Sequence, residues 1–456
     1  MSDRSLVAAL RAGWSAALAW TAEMLGWKTA YRAFSYLQSA LWVVPIAAVL
    51  LALVFTRLLQ LLDRFVTWDL TGLGVDGAQT LFQTIITLTL TFVVFTFGSL
   101  LVAIQIASGQ LTPRIIATTL LRDRVIKYTV GLNMFTMLFA VIALNRTVDT
   151  VPQLVALVAA VLGVACVASF LFLIDYAARL LRPVRLVALV CEQGLDVIRS
   201  VYPEDEAITD GEQRVKRAGW LGPPPRVVTH QGRSQIVLAV EIESLVREAR
   251  RLDGVIEIVP QVGDFVADEE PLFNLYGGAA GIDEATLRAS VVFGTERTME
   301  QDPMFAFRIL VDIALKALSP AINDPTTAVL AIDQIHRLLR VVGCRHLHGE
   351  GIRDAAGHVR LKLRTPNWED FVHVACVEIR ACGATSMQVV RRVRAMLENL
   401  LRTLPAMRHR ALREQLDLLD RTLPEVYKHP EDLALARVPD SQGLGGASSD
   451  TRSTGS

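Results

Sequence analysis

Three stretches of this 456-residue chain bring together side chains that could do chemistry. Cys344, His346 and His348 alternate, so an extended strand would turn all three to one face, with His373 and Cys376 further along. Thiols and imidazoles of this kind hold zinc. Their spacing matches no established zinc pattern and the stretch is rich in Gly and charge, so a solvated loop is the reading adopted and no metal is expected. The second stretch is Ser319-Pro320-Ala321-Ile322-Asn323-Asp324-Pro325-Thr326-Thr327-Ala328, preceded by the Val311-Asp312-Ile313-Ala314 segment. Pro320 ends one helix, and Asp324 is placed to cap the next with Pro325 at its first position, where no amide hydrogen is missed. Asp312, Ser319, Asn323 and Asp324 are therefore either a structural corner or a ligand site. The third is Thr80, Thr84, Thr87 and Thr91, at spacings of four, three and four with Gln83 beside them, a polar stripe along one helix face. Such hydroxyls either bond the carbonyls of their own preceding turn and pack against neighbours, or line a hydrated pore or polar groove between subunits.

The stripe gains its meaning from the element that carries it. A helix needs about 20 mainly apolar residues to cross a bilayer, because its backbone must satisfy itself there. Four segments read as spans: Phe34 to Phe55, which contains Pro45; Leu81 to Ala107; the short Tyr128 to Leu144, the weakest of the four; and Leu154 to Ile174. They account for the hydrophobic fraction of 52%, above that of ordinary soluble chains. The flanks Arg4, Arg11, Lys28 and Arg32, then Arg114, Arg122, Arg124 and Lys127, then Arg179, Arg182 and Arg185, put eleven basic residues on one side. Arg57, Arg64 and Arg146 lie on the other, with Asp63, Asp69, Asp76 and Asp149. Basic flanks stay in the cytoplasm, so both termini are expected there. About thirty mixed residues, with Trp14, Trp20 and Trp27, precede the first span, too long and polar for a cleaved leader.

Beyond residue 186 the pattern is that of a water-soluble chain. A helix to about Ser200 leads to a stiff linker at Gly222-Pro223-Pro224-Pro225. Short strands are expected at Arg226 to His230, Gln235 to Ile242, Val255 to Val259 and Leu272 to Tyr276, with a helix over Ser244 to Leu252. Helices follow at Glu284 to Phe293, Pro303 to Leu318, Pro325 to Val342, Trp368 to Cys382, Ser386 to Leu404 and Arg408 to Leu423, interrupted by a strand at Val359 to Leu363. The fold class is thus an α-helical membrane protein of four transmembrane helices with a C-terminal cytoplasmic α+β domain. Its parts are an N-terminal cytoplasmic or interfacial segment (1–33), the membrane domain (34–175), a juxtamembrane helix and linker (186–225), a small β-rich module (226–280), a mostly helical domain (281–438) and a disordered tail (439–456) that should be dispensable.

Val262-Gly263-Asp264-Phe265-Val266, followed by Glu270-Pro271-Leu272-Phe273, resembles the sandwich-barrel modules of lipoyl and biotinyl carriers. Those modules present a modifiable Lys at a hairpin tip, and no Lys occurs between Lys216 and Lys316, so carrier chemistry is not expected. Nearly the whole chain resembles the bacterial membrane proteins grouped as domain of unknown function 2254. The Ser319–Ala328 run carries that resemblance together with Gln105-Ile106-Ala107-Ser108-Gly109-Gln110-Leu111-Thr112-Pro113-Arg114, Gly263-Asp264-Phe265-Val266 and Trp368-Glu369-Asp370. The resemblance implies a four-span membrane protein and supplies no catalytic residues.

Lys+Arg and Asp+Glu each total 46, so no global basic field points to nucleic acid. Five scattered cysteines form no disulfide framework. Arg391, Arg392, Arg394, Arg402, Arg408, Arg410, Arg413 and Arg421 read as a solvated helical face or as a contact for anionic lipid. No Walker loop, dinucleotide fingerprint, nucleophile elbow or metalloprotease helix is present, so neither enzyme activity nor a cofactor is expected. Two readings of function stay open: an oligomeric channel-like or transport protein of the bacterial inner membrane gated by its cytoplasmic domain, and a membrane-anchored ligand- or partner-binding protein without transport. Partners are expected to be the bilayer and further copies of the chain. A reporter fused after Tyr202 is expected to be active on the cytoplasmic side, and activity confined to the outer side overturns the topology.

Overall fold

The computed structural model describes residues 40, 42–63, 72–110, 123–147, 151, 153–180, 182–202, 224–347 and 351–446. They form two compact units, divided between Leu186 and Val187.

The membrane unit consists of α1 (Val43–Asp63), α2 (Val75–Gln110), α3 (Arg124–Leu144) and α4 (Gln153–Leu180). Three of these are long and apolar enough to cross a bilayer, over Val75–Val102, Val125–Leu144 and Gln153–Arg179. Four were expected. In α1 the apolar part, Val43–Leu59, is shorter; the described helix begins at Val43, and the expected start near Phe34 lies outside the described residues. Pro45 lies in the first turn of the described helix. A proline inside a helix removes a hydrogen bond and clashes with the preceding turn, whereas in the first turn its missing amide has no partner to lose. The segment read as the weakest span, α3, packs against the other three helices. Small residues allow the close approach: a Cβ on Gly131 would lie 2.9 Å from Val44, and one on Gly163 3.2 Å from Ile85. Around them Phe82, Phe139, Ala140, Ala143, Ala156 and Ala159 form a buried core.

The second unit starts within α5 (Pro183–Val201), an amphipathic helix that buries Val187, Val190, Cys191, Leu195 and Ile198 at helical spacing. A β-module follows, built from β1 (Arg226–Thr229), β2 (Gln235–Val240), α6 (Ile242–Arg251), β3 (Gly254–Ile258), β4 (Phe265–Val266), β5 (Pro271–Gly277), α7 (Glu284–Ala289) and β6 (Val291–Gly294). The helix expected through Phe293 thus stops at Ala289, where the β-branched Val291 and Val292 switch the chain to a strand paired with β2. Further on come α8 (Pro303–Ala317), α9 (Pro325–Gly343), β7 (Ile352–Arg353), β8 (Val359–Leu363), α10 (Trp368–Gly383), α11 (Met387–Thr403), α12 (His409–Val426) and α13 (Pro430–Ala436). The strands form two sheets, ordered β1-β5-β3-β8-β7 and β4-β2-β6. Here β8 runs parallel to β3, Ile256 opposite Leu361, so the helical region lends the module a strand from beyond residue 281. Helix α8 is buried on nearly every side and centres the bundle, while Trp368 of α10 is buried and donates its indole hydrogen to the Arg408 carbonyl at 2.8 Å.

Two expectations about this region fail for one reason. Arg391, Arg392, Arg394 and Arg408 are neither a solvated nor a lipid-facing row but are buried and bonded, while Arg402, Arg410, Arg413 and Arg421 are exposed. Arg392 binds Asp333, Arg394 binds Asp420, and Arg408 binds the Arg345 carbonyl. Arg391, fully buried, donates to the carbonyls of Val438 (2.9 Å), Gly445 (3.1 Å) and Gly446 (2.8 Å). Those acceptors lie in the region read as a disordered tail. Instead Asp440 is buried and its carboxylate takes the amides of Gln442, Gly443 and Gly445, folding residues 440–446 into a strap over α11. The Gly-rich composition that suggested disorder supplies the positive φ of Gly443 and Gly445 that this turn uses. Removal of residues 440–456 is therefore expected to lower the melting temperature by about 5 °C or more, because it strips acceptors from a buried cation. Removal of 447–456 alone leaves every one of these bonds in place and should shift it by less than about 1 °C; equal, negligible shifts for both truncations would rule out a structural role for the strap.

Candidate functional site

Helix α2 spends its inward face on Ala78, Phe82, Ile85 and Thr89, all buried. Its other side carries Thr80, Gln83, Thr84, Thr87 and Thr91, all exposed. The stripe is real as a surface, and its hydroxyls are already used. Thr80 donates to the Asp76 carbonyl (2.8 Å), Thr84 to Thr80 (2.8 Å), Thr87 to Gln83 (3.0 Å) and Thr91 to Thr87 (2.8 Å). Such back-bonding lets Thr sit in hydrocarbon at little cost. Gln83 differs, because its side-chain amide makes no hydrogen bond among the described residues. Beside the stripe, α2 and α4 form a mainly apolar groove of about 260 Å³ whose lining includes Thr84, Ile85, Leu88, Phe92, Gly163 and Val167.

Other polar groups of the membrane unit point inward. Asn133 of α3 is buried and donates to the Thr129 carbonyl at 2.8 Å, leaving its own amide oxygen without a partner among the described residues. Thr136 lies 3.3 Å from the thiol of Cys166 on α4. At the end of this pair, Asp123 caps α3 by accepting from Val125 (2.8 Å) and Ile126 (3.2 Å), and receives the Tyr176 hydroxyl of α4 at 2.5 Å. Sequence reading missed this tie; the signal was an Asp directly before a helix of strong apolar character.

In the second unit the corner is compact. The Asn323 amide donates to the Ser319 carbonyl (2.8 Å) and the Asp324 amide to Ala317 (2.8 Å), with Asn323 at φ 48°, a left-handed conformation Asn tolerates. Asp324 takes the Thr327 amide (3.0 Å) on one oxygen and the Thr327 hydroxyl (2.5 Å) on the other. Ser319 returns its hydroxyl to the Lys316 carbonyl. Asp312 is engaged by Arg308, which also grips Glu378 of α10 through two bonds of 2.9 and 2.8 Å. That grip holds the Glu378 carboxyl below its usual range. Ser319, Asn323 and Asp324 thus belong to a capped turn, while Asp312 pairs within α8 with the arginine that ties α8 to α10. Among the described residues no group of three or more His, Cys, Asp or Glu could hold a metal; Cys344 is exposed, Cys376 buried, and His348 lies outside the described residues.

A second Asp-Pro pair went unnoticed in the sequence. Asp302 caps α8 as Asp324 caps α9, with Pro303 at the first helical position and a bond from the Phe305 amide of 3.1 Å. Unlike Asp324 it is 4% exposed, its second oxygen has no hydrogen-bond partner among the described residues, and burial pushes its carboxyl up to about 6. That oxygen faces the β3–β4 loop, where a Cβ on Gly263 would come within 2.5 Å of it.

Residues 38–399 match the family described as Predicted membrane protein (DUF2254), a region holding both the α2 stripe and the two Asp-Pro caps. Two uncharacterized proteins, one of Mycobacterium bovis and one of Mycobacterium tuberculosis, are each 26% identical over 446 residues, covering 93% of this chain and 83% of their own. No solved structure matches.

The corner makes a direct prediction. Asp324→Ala loses a cap contributing about 1 kcal/mol and should lower the melting temperature by roughly 2–4 °C. Asp324→Asn keeps an oxygen for the Thr327 amide and should stay within about 1 °C of the parent. Loss of function in Asp324→Asn at unchanged melting temperature would show that the carboxylate does more than cap.

Proposed function

Because the chain belongs to this family of predicted membrane proteins, we propose that it is a homo-oligomeric, channel-like or transport protein of the bacterial inner membrane, both termini and the C-terminal unit lying in the cytoplasm and the latter controlling the path. The observation that carries this reading is Gln83. It sits eight residues into the Val75–Val102 span, about 12 Å along the helix axis, exposed and with its side-chain amide making no hydrogen bond among the described residues. An amide left in hydrocarbon costs several kcal/mol, and water or a neighbouring copy removes that cost. Thr80, Thr84, Thr87 and Thr91 extend the same surface along the helix. Their hydroxyls, though returned to backbone carbonyls, keep lone pairs that accept from water.

A second reading, a membrane-anchored ligand- or partner-binding protein without transport, is favoured by that same back-bonding, since a satisfied Thr stripe can also face lipid. Flux through the protein reconstituted in liposomes separates the two. In the first reading Gln83→Leu and Thr87→Leu leave assembly and melting temperature intact and change ion flux by about tenfold, the effect of roughly 1.4 kcal/mol on a barrier. Unchanged flux in Gln83→Leu, Thr87→Leu and Thr91→Leu alike removes the stripe from the path, and absence of flux for any common ion favours the second reading.

A further inference from the structure

Three pieces of chain meet at Asp302. The first is the β3–β4 loop, where Gly263 takes a φ of 94° and its amide donates to the Val237 carbonyl at 2.8 Å. The second is the segment after β6, whose Arg297 donates to the Gly263 carbonyl at 2.6 Å and whose Gln301 bonds the Val240 backbone. The third is the start of α8, held by one oxygen of Asp302. The other oxygen is pressed against the Gly263 backbone, sealed from solvent and without a hydrogen-bond donor among the described residues. Arg297 lies close, its guanidinium carbon 3.4 Å from where a Gly263 Cβ would stand, yet it spends its hydrogen bond on the carbonyl rather than on the carboxylate.

We propose that Asp302 is a proton-sensitive latch within the C-terminal unit: protonated, it locks the start of α8 onto the Gly263 loop of the β-module, and ionised, it loosens that joint. The cap itself uses one carboxylate oxygen, and at the half-buried Asp324 the second oxygen has the Thr327 hydroxyl to receive; complete burial of a second, unbonded oxygen at Asp302 does nothing for the cap. Taking a charge into such a place is costly unless every lone pair is met. Charged and titratable groups face the joint from each element around it. Arg297 favours the ionised form and Asp264, on the β3–β4 loop, disfavours it. Tyr202 at the end of α5 feels both Asp302 and Asp370 of α10, and Arg345 holds the Tyr202 carbonyl at 3.3 Å.

The sign is fixed by burial. The carboxyl rises from 3.8 to about 6 in the folded unit, so its contribution to folding is fully present below about 4 and is lost as the pH climbs through about 6. A cell interior near neutrality leaves the joint loosened, and acidification closes it. The latch belongs to the C-terminal unit alone and stands whether or not the membrane unit conducts.

The test uses the full chain in detergent or nanodiscs. Asp302→Asn retains a capping oxygen and removes the charge, so it should raise the melting temperature by about 4 °C at pH 7.5, by about half as much at pH 5, and by less than about 1 °C at pH 3.5. Asp302→Ala, which also loses the cap, should be less stable than Asp302→Asn at every one of these values. In the parent, amide exchange corrected for its intrinsic pH dependence should slow in residues 261–266 and 303–306 between pH 7.5 and pH 5, and this change should vanish in Asp302→Asn. A melting temperature lowered equally at every pH by Asp302→Asn, or protection of the two segments in the parent that is the same at pH 5 and 7.5, overturns the latch. The exchange measurement on the parent decides even if neither variant folds.

Discussion

A polar group carried into hydrocarbon has to find its partner inside the protein, and helices α2 and α3 meet that demand in opposite ways. On α3 the polar residues turn inward, where Thr129, Asn133 and Thr136 are buried and the Cys166 thiol of α4 lies beside Thr136. On α2 they turn outward, and four hydroxyls satisfy themselves against their own helix. The membrane unit follows from this division. The helix with polar contents becomes the one the others surround, and the helix with a self-satisfied stripe keeps a face free.

The C-terminal unit applies the same accounting to charge. Its buried arginines are not excess basic residues but the cores of local joints: Arg392 to Asp333, Arg394 to Asp420, Arg408 to backbone carbonyls beneath Trp368, and Arg391 to carbonyls alone. Guanidinium suits these positions because it presents five donors in a rigid plane and is less strongly hydrated than an ammonium. A chain with six lysines and forty arginines can therefore bury cations that a lysine-rich chain would have to expose.

Much of this was legible in the sequence, and the failures have specific causes. Strand and helix positions in the β-module follow from β-branched runs and turn residues, and the Asp324-Pro325 cap follows from local chemistry alone. Pro45 lies in the first turn of the described helix α1, where a proline is tolerated. The pairing of β8 with β3 could not be read, because nothing local records a partner about a hundred residues away. Likewise the row of arginines on α11 looks amphipathic and solvated until the strap and α12 are laid over it. Asp302 was missed because its motif is the same as that of Asp324, and the difference between them is burial, a property of the assembled unit.

The Arg391 joint also sets an order of events during synthesis. Its acceptors lie 47 to 55 residues further along the chain, so at ordinary translation rates of about 5–20 residues per second the arginine leaves the ribosome several seconds before they do. Through that interval α11 has a cation on its inner side with nothing to receive it, and the α8–α11 core can condense only around a hydrated guanidinium. A nascent chain arrested shortly after α12 would hold the partners of Arg392, Arg394 and Arg408 but leave Arg391 without the carbonyls that receive it in the finished protein.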